Sequence, residues 1–230
     1  MLHVVATPLG NLEDLTARAL RILREVDAIV SEDTRTTMKL LSHNDIHKPL
    51  IAYFQDSPPR RLEEILDRLR RGESIALVSE AGTPGVSDPG ARLVDAALAA
   101  GIPVSPVPGP AAVAAAASVC GFPVDAFHFG GFLPRKPGKR RKALRALAEL
   151  EITLIFYESP HRIADCLEDM LAELGDRRMT LCRELTKKHE EVRRMSISQA
   201  LARFRGGEAL GEFTVAVEGK PKPPSEPEPE

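Results

Sequence analysis

The chain has 230 residues, of which 43% are hydrophobic and 28% charged, and its formal net charge is −2. That composition suits a globular protein with one large domain or two of about 100 residues each. It excludes a binder of nucleic acid that works through global basicity, so any nucleic-acid site must be a local patch.

Strand and helix patterns alternate from the start. Residues 2–7 form a short apolar run with valines, and Leu15, Ala19, Leu20, Leu23 and Val26 then recur at helical spacing, behind Asn11 and Asp14 as caps. Strands are predicted over 27–31 and 50–53, with a helix behind Pro58 and Pro59 marked by Leu62, Ile65, Leu66 and Leu69. A strand over 74–78, a helix over 91–100 and a strand over 104–107 complete a βαβα order, which calls for a mostly parallel sheet with helices on both faces. An alanine-rich helix over 111–118 follows the proline turn at 106–110. The second half alternates again: strand 127–129, helix 139–150, strand 152–157, helix 160–174, strand 179–182, helix 198–204, strand 213–217. The last strand alternates clearly, as in a mixed or antiparallel sheet. Two α/β domains, 1–112 and 113–220, are therefore expected, and the proline- and acid-rich tail 221–230 is expected to be disordered.

Cys120, Cys166 and Cys182 are odd in number and lie at no metal-ligand spacing, so they read as reduced thiols with no metal. Because residues 2–6 already read as a strand, no signal peptide is expected. No apolar run reaches the ~20 residues of a membrane span, and the expected location is cytoplasmic.

In an open α/β sheet, ligands bind outside the carboxyl ends of the strands. Four of those ends carry unusual loops here: Thr7-Pro8-Leu9-Gly10-Asn11, Ser31-Glu32-Asp33-Thr34-Arg35, "VSEAGTPGVSDPG" at 78–90, and Pro108-Gly109-Pro110. Glycines let backbone approach a ligand and prolines hold a loop stiff, so a cleft for a small polar molecule is expected at this edge. No GxGxxG follows the first strand and no P-loop is present, which removes the usual marks of dinucleotide and phosphate binding.

The set "VATPLGNLEDLTARA", "SEDTR", "VSEAGTPGVSDPG", "VPGPAAVAAA", "GFLPRK", "FYESPHR", "CRELTKKHE" and "GEFTVAVEG" resembles the tetrapyrrole methylase superfamily, in its RNA-modifying branch, from about Leu2 to Gly219. That branch 2′-O-methylates a cytidine in the decoding centre of small-subunit (16S) ribosomal RNA. The resemblance implies two α/β domains with S-adenosylmethionine in the cleft between them, and a homodimer. It assigns cofactor contact to Pro8, Leu9 and Gly10, and to Glu80, Ala81, Gly82, Thr83, Pro84 and Ser87 of the long loop. It assigns the same role to Pro108, Gly109, Pro110, Ala111 and Ala112, and in the second domain to Tyr157, Arg183, Glu184 and Thr186. Thr83 stands where the wider superfamily has aspartate, which argues against the tetrapyrrole-modifying branch.

The 2′-hydroxyl must lose a proton, and Glu158, Asp88 and Asp33 are the candidate catalytic bases, with capping or turn roles as the alternative for the carboxylates of the long loop. His161 fits capping or packing better than catalysis. Between Asp125 and Glu149 there is no acid, while Arg135, Lys136, Lys139, Arg140, Arg141, Lys142 and Arg145 form a basic stretch whose "PRKPGKRRK" part reads as a mobile loop. RNA contact is expected at Arg135, Lys136, Lys139, Arg140, Arg141 and Lys142, with Arg35 and Arg162 holding phosphates beside the target ribose. Lys187, Lys188, Arg193 and Arg194 make a weaker cluster, and Phe127, Phe129 and Phe132 read as core rather than stacking platforms. The competing functions are a tetrapyrrole methylase, a non-catalytic RNA-binding or ribosome-assembly factor, and a nicotinamide oxidoreductase without its glycine fingerprint.

Overall fold

The computed structural model describes residues 1–88, 90–207 and 209–221, so residues 222–230 of the expected disordered tail lie outside the described residues. The chain divides into two compact units, Met1–Ala111 and Ala112 onward.

The first unit is a five-stranded sheet of β1 (Leu2–Val5), β2 (Ala28–Ser31), β3 (Leu50–Ala52), β4 (Ile75–Val78) and β5 (Val104–Val107), in the order β3-β2-β4-β1-β5. All its pairings are parallel. The strands are short apolar runs because both faces are covered. Leu2, Val30, Ile75 and Leu77 face one core with α3 (Pro59–Arg70) and α4 (Ala91–Ala99), whereas Val5, Ile29, Ala76 and Val78 face the other with α1 (Ala17–Glu25) and α2 (Thr34–His43). Thr16 caps α1 by accepting from Ala19 N, and Asp33 caps α2 by accepting from Arg35 N at 2.8 Å. Asp14, expected as a cap, does neither; Asn11 caps only the single 3-10 turn Leu12–Asp14.

The second unit has β6 (Phe127–Phe132), β7 (Thr153–Glu158), β8 (Arg178–Arg183), β9 (Glu191–Ser196) and β10 (Phe213–Val217) in the order β6-β7-β10-β8-β9. β6 runs parallel to β7, and the other pairings are antiparallel, so the sheet is mixed. α5 (Ala112–Val119) lies on one face, over Ile155 and Ala216; α6 (Pro137–Leu147), α7 (Ile163–Leu174) and α8 (Ile197–Phe204) cover Leu154, Phe156, Leu181 and Val215 on the other. Of the stretch expected as a mobile basic loop, residues 134–136 lie outside any helix, whereas Pro137 onward is the start of α6. Pro137 opens this helix, where a missing N–H costs nothing and a fixed φ suits the first turn. Among the described residues no helix is long and apolar enough to cross a membrane.

Candidate functional site

The order β3-β2-β4-β1-β5 brings the loops after β1 and β4 side by side, with the end of β5 next to β1. They are knotted together. Thr7 N donates to Gly82 O at 2.8 Å and Gly82 N donates to Thr7 O at 3.0 Å, an isolated antiparallel bridge between two parallel strands' ends. The Thr7 hydroxyl adds a bond to Ser79 O at 3.1 Å, and the Ser79 hydroxyl one to Gly82 O at 3.0 Å. Thr83 Oγ1 then donates to Pro110 O at 2.9 Å, which fastens the β4 loop to the β5 loop. Gly82 has φ +85°, and a Cβ there would stand 3.1 Å from Leu9 Cδ2 and 3.5 Å from Pro110 O, so only glycine lets the three loops close. Because the Thr83 proton is committed, that hydroxyl can only accept from a ligand.

The β2 loop adds charge to this edge. Asp88 is half-buried, and burial pushes its carboxyl up to about 6, with the negative charges of Glu32 and Glu80 acting the same way and the Ser79 hydroxyl opposing them. Asp33, paired with Arg35 at 3.2 Å and capping α2, is held below the usual carboxylate range by that guanidinium. Arg35 is exposed and feels the Glu80 charge. Ser31, at the end of β2, is buried and its hydroxyl has no hydrogen-bond partner among the described residues. A glycine-lined, stiff, acid-flanked corner suits a small ligand that carries positive charge. Sequence reasoning placed Thr7, Glu32 and Ser79 in these strand-end loops but gave them no role of their own; the signal for them is a polar residue at or just past the end of a buried strand. Among the described residues no group of His, Cys, Asp or Glu is placed to hold a metal ion.

Comparisons with known proteins cover both units. The family model "Tetrapyrrole (Corrin/Porphyrin) Methylases" matches residues 1–201. The chain is 47% identical to "Ribosomal RNA small subunit methyltransferase I" of Thermotoga maritima over 95% of this chain and 98% of that one. It is 48% identical to the protein of the same name from Halalkalibacterium halodurans, covering 95% of this chain and 75% of that one. The chain belongs to the tetrapyrrole methylase family, in its ribosomal RNA small subunit methyltransferase I group. The fold agrees with solved structures: diphthine synthase superposes with TM-score 0.72 at 15% identity over 95% of this chain and 90% of that one. Uroporphyrin-III C-methyltransferase from Thermus thermophilus, solved in complex with S-adenyl homocysteine, gives 0.65 at 19% over 94% and 96%.

In the second unit of this methylase, the predicted residues separate into different environments. The Tyr157 hydroxyl accepts from Val113 N at 2.9 Å, at the start of α5. Glu184 and Thr186 have φ +52° and +66°, strained values for residues with a Cβ. The Glu184 carboxylate is taken up by Lys187 Nζ and Glu212 N, both at 2.9 Å, whereas the buried Thr186 Oγ1 has no partner among the described residues. Arg183 Nε donates to Leu210 O at 2.6 Å. Glu158 is 2% exposed and lies against Arg162 at 3.3 Å and against Cys166, whose thiol it helps push up, second to burial. Arg162 Nη2 also donates to Leu133 O at 2.6 Å, while its buried Nε has no hydrogen-bond partner among the described residues. His161 is exposed in the turn after β7.

The basic stretch divides too. Arg140 is 3% exposed; its Nε meets Asp169 Oδ2 at 2.6 Å, and Arg141 Nε meets Asp169 Oδ1 at 2.5 Å. Arg145 pairs with Glu173 at 2.9 Å. These three bind α6 to α7. Arg135, Lys136, Lys139 and Lys142 are exposed and enter no ion pair among the described residues. In the weaker cluster, Lys187 is paired with Glu184 and Glu212, Arg193 with Glu191, and Arg194 donates to the carbonyls of Cys120 and Gly121.

Proposed function

We propose that the protein transfers the methyl group of S-adenosylmethionine to the 2′-oxygen of a cytidine in the decoding centre of 16S ribosomal RNA. One observation carries the proposal: the likeness to small-subunit RNA methyltransferases covers 95% of the chain and so both units. The loops after β1, β4 and β5, to which the resemblance assigns the cofactor, are bonded to one another around Gly82. S-Adenosylmethionine would supply an electrophilic methyl on a sulfonium. Pro8, Leu9, Gly82, Thr83 and Pro110 would cradle it with backbone and small side chains, and Glu32 and Glu80 would favour its positive charges. Thr186, with an unpartnered buried hydroxyl, is proposed as a further ligand contact.

The new bond joins the 2′-oxygen to the methyl carbon while the carbon–sulfur bond breaks, and the 2′-proton passes to a base. Asp88 is our choice of base. Its raised affinity for a proton still leaves it ionised at neutral pH. Asp33 is weakened by Arg35, and Glu158 is buried against Arg162. Holding the 2′-oxygen in line with the methyl supplies much of the remaining acceleration.

Incubation with tritiated S-adenosylmethionine and small ribosomal subunits lacking the modification, followed by digestion, is expected to place label in 2′-O-methylcytidine. Label in a base would overturn the ribose chemistry, and no label would overturn the proposed substrate. The resemblance also implies a homodimer, which light scattering would detect as twice the chain mass.

The exposed cations are the proposed phosphate contacts. Replacing Lys136, Lys139 and Lys142 together by alanine is expected to raise KM for subunits and to lower the slope of log affinity against log salt by about 2–3. The Kd for S-adenosylmethionine should stay within about twofold, measured by calorimetry. Equal loss of both would make these lysines part of the fold or the cofactor site.

A further inference from the structure

Phe132 is expected in the core but is 53% exposed, and the cause lies in the backbone. Phe129 pairs with Ile155 and Phe132 pairs with Tyr157, so three steps along β6 match two along β7. One extra residue is inserted at Gly130-Gly131, where Gly131 has φ +55° and a Cβ on Gly130 would stand 2.6 Å from Phe156 Cε1. Without that bulge Phe132 would align with Glu158 and point into the α6–α7 core. With it, Phe132 shares a face with Phe129, and Tyr157 meets both rings edge-on at 5.6 Å and 4.9 Å. Bulges re-aim side chains in this way beside functional sites.

The segment that follows is pinned. Arg162 donates to Leu133 O at 2.6 Å and Arg140 to Arg135 O at 3.5 Å. The exposed Arg135, Lys136 and Lys139 come next, at the start of a helix with no acid in its first turn and no side-chain cap. Cations at a helix N-terminus oppose its dipole, and an anion bound there would relieve the conflict. An exposed aromatic ring next to unpaired cations is the arrangement by which proteins hold unpaired nucleotides.

We propose that Phe132 is a stacking platform for one unpaired base of the RNA substrate, with Arg135, Lys136 and Lys139 on the adjoining phosphates. The identity of the substrate rests on the function proposed above; the exposed ring and its neighbouring cations do not. With the backbone after it held and Tyr157 against its ring, Phe132 loses little entropy on binding.

Phe132→Leu and Phe132→Trp test it. Phe132→Leu is expected to raise KM for subunits about 10–100-fold, the range base stacking commands, with kcat within about threefold and an unchanged Tm. Phe132→Trp should restore KM. It also gives the chain its first tryptophan. The indole fluorescence should be quenched saturably by a cytidine decanucleotide at low salt. A KM within twofold for Phe132→Leu, or no quenching up to millimolar oligonucleotide, would overturn the proposal. So would a change in molecular mass of Phe132→Leu, which would make the ring a contact between copies. If Phe132→Leu is unstable, the quenching decides alone. If the unaltered protein methylates no subunits, it is the substrate assignment that fails, and quenching still decides whether Phe132 stacks.

Discussion

Asp169→Ala is expected to cost about 3–5 kcal/mol of folding stability, because it strands a buried guanidinium. The side chains of Asp169 and Arg140 are 3% and 4% exposed, and no other carboxylate takes the Arg140 charge among the described residues. What remains to Arg140 is Asp165 O at 3.3 Å and Arg135 O at 3.5 Å, which hydrogen-bond the group without neutralising it. For a chain of this length such a loss lowers Tm by roughly 6–20 °C, read by calorimetry or circular dichroism. Arg141 is half exposed and shares the same carboxylate, so Arg141→Ala should cost under about 1 kcal/mol. A joint replacement, Arg140→Met with Asp169→Leu, should recover most of the loss, since the charged pair contributes little net stability once its desolvation is counted. A drop below about 1 kcal/mol for Asp169→Ala would show that water or a shift of α6 relieves the stranded charge. The same geometry bears on function: an Arg140 variant that fails to methylate RNA reports on folding, and the exposed lysines are the proper probes of RNA contact.

Much of the fold was legible because its strands are short apolar runs with turn residues on either side. Residues 104–107 and 213–217 read as strands and are β5 and β10. α2 was not legible: "TRTTMKLLSH" is rich in β-branched threonine, and its helix rests on the Asp33 cap and on burial of Thr37 and Leu41. β9 was not legible either, because the edge strand "EVRRMS" carries charges that blunt an open edge rather than an apolar alternation. A run of cations reads as surface whatever its fate. That Arg140 turns inward depends on Asp169, 29 residues away. The site shows the same division. Glycines and prolines marked the loops, but which partners Thr7, Ser79 and Glu32 meet follows from a strand order that no local pattern states.

Asp88→Asn is expected to lower kcat for methyl transfer by about 10²- to 10⁴-fold, the usual range for loss of a general base. The pH dependence makes the prediction specific. Burial and the neighbouring Glu32 and Glu80 hold the Asp88 carboxyl at about 6, so kcat of the unaltered enzyme should rise through pH 6 and level off above pH 7. Asp88→Asn should lose that limb while its Kd for S-adenosylmethionine stays within a few-fold. Stability moves the other way. A carboxyl whose pKa is raised on folding holds its proton longer in the native chain than in the unfolded one. Its contribution is therefore complete below about pH 4 and is lost as pH rises through about 6. Asparagine, always neutral, escapes that loss. Asp88→Asn should match the unaltered protein at pH 4 and exceed it at pH 8 by on the order of 1 kcal/mol, a figure kept small because solvent screens a half-buried group. A variant that is more stable and far slower is the signature of a carboxylate kept for chemistry at the expense of the fold. A flat profile between pH 5 and 8, or a kcat within threefold of the unaltered enzyme, would remove Asp88 as the base and leave positioning of the 2′-oxygen as the main source of rate.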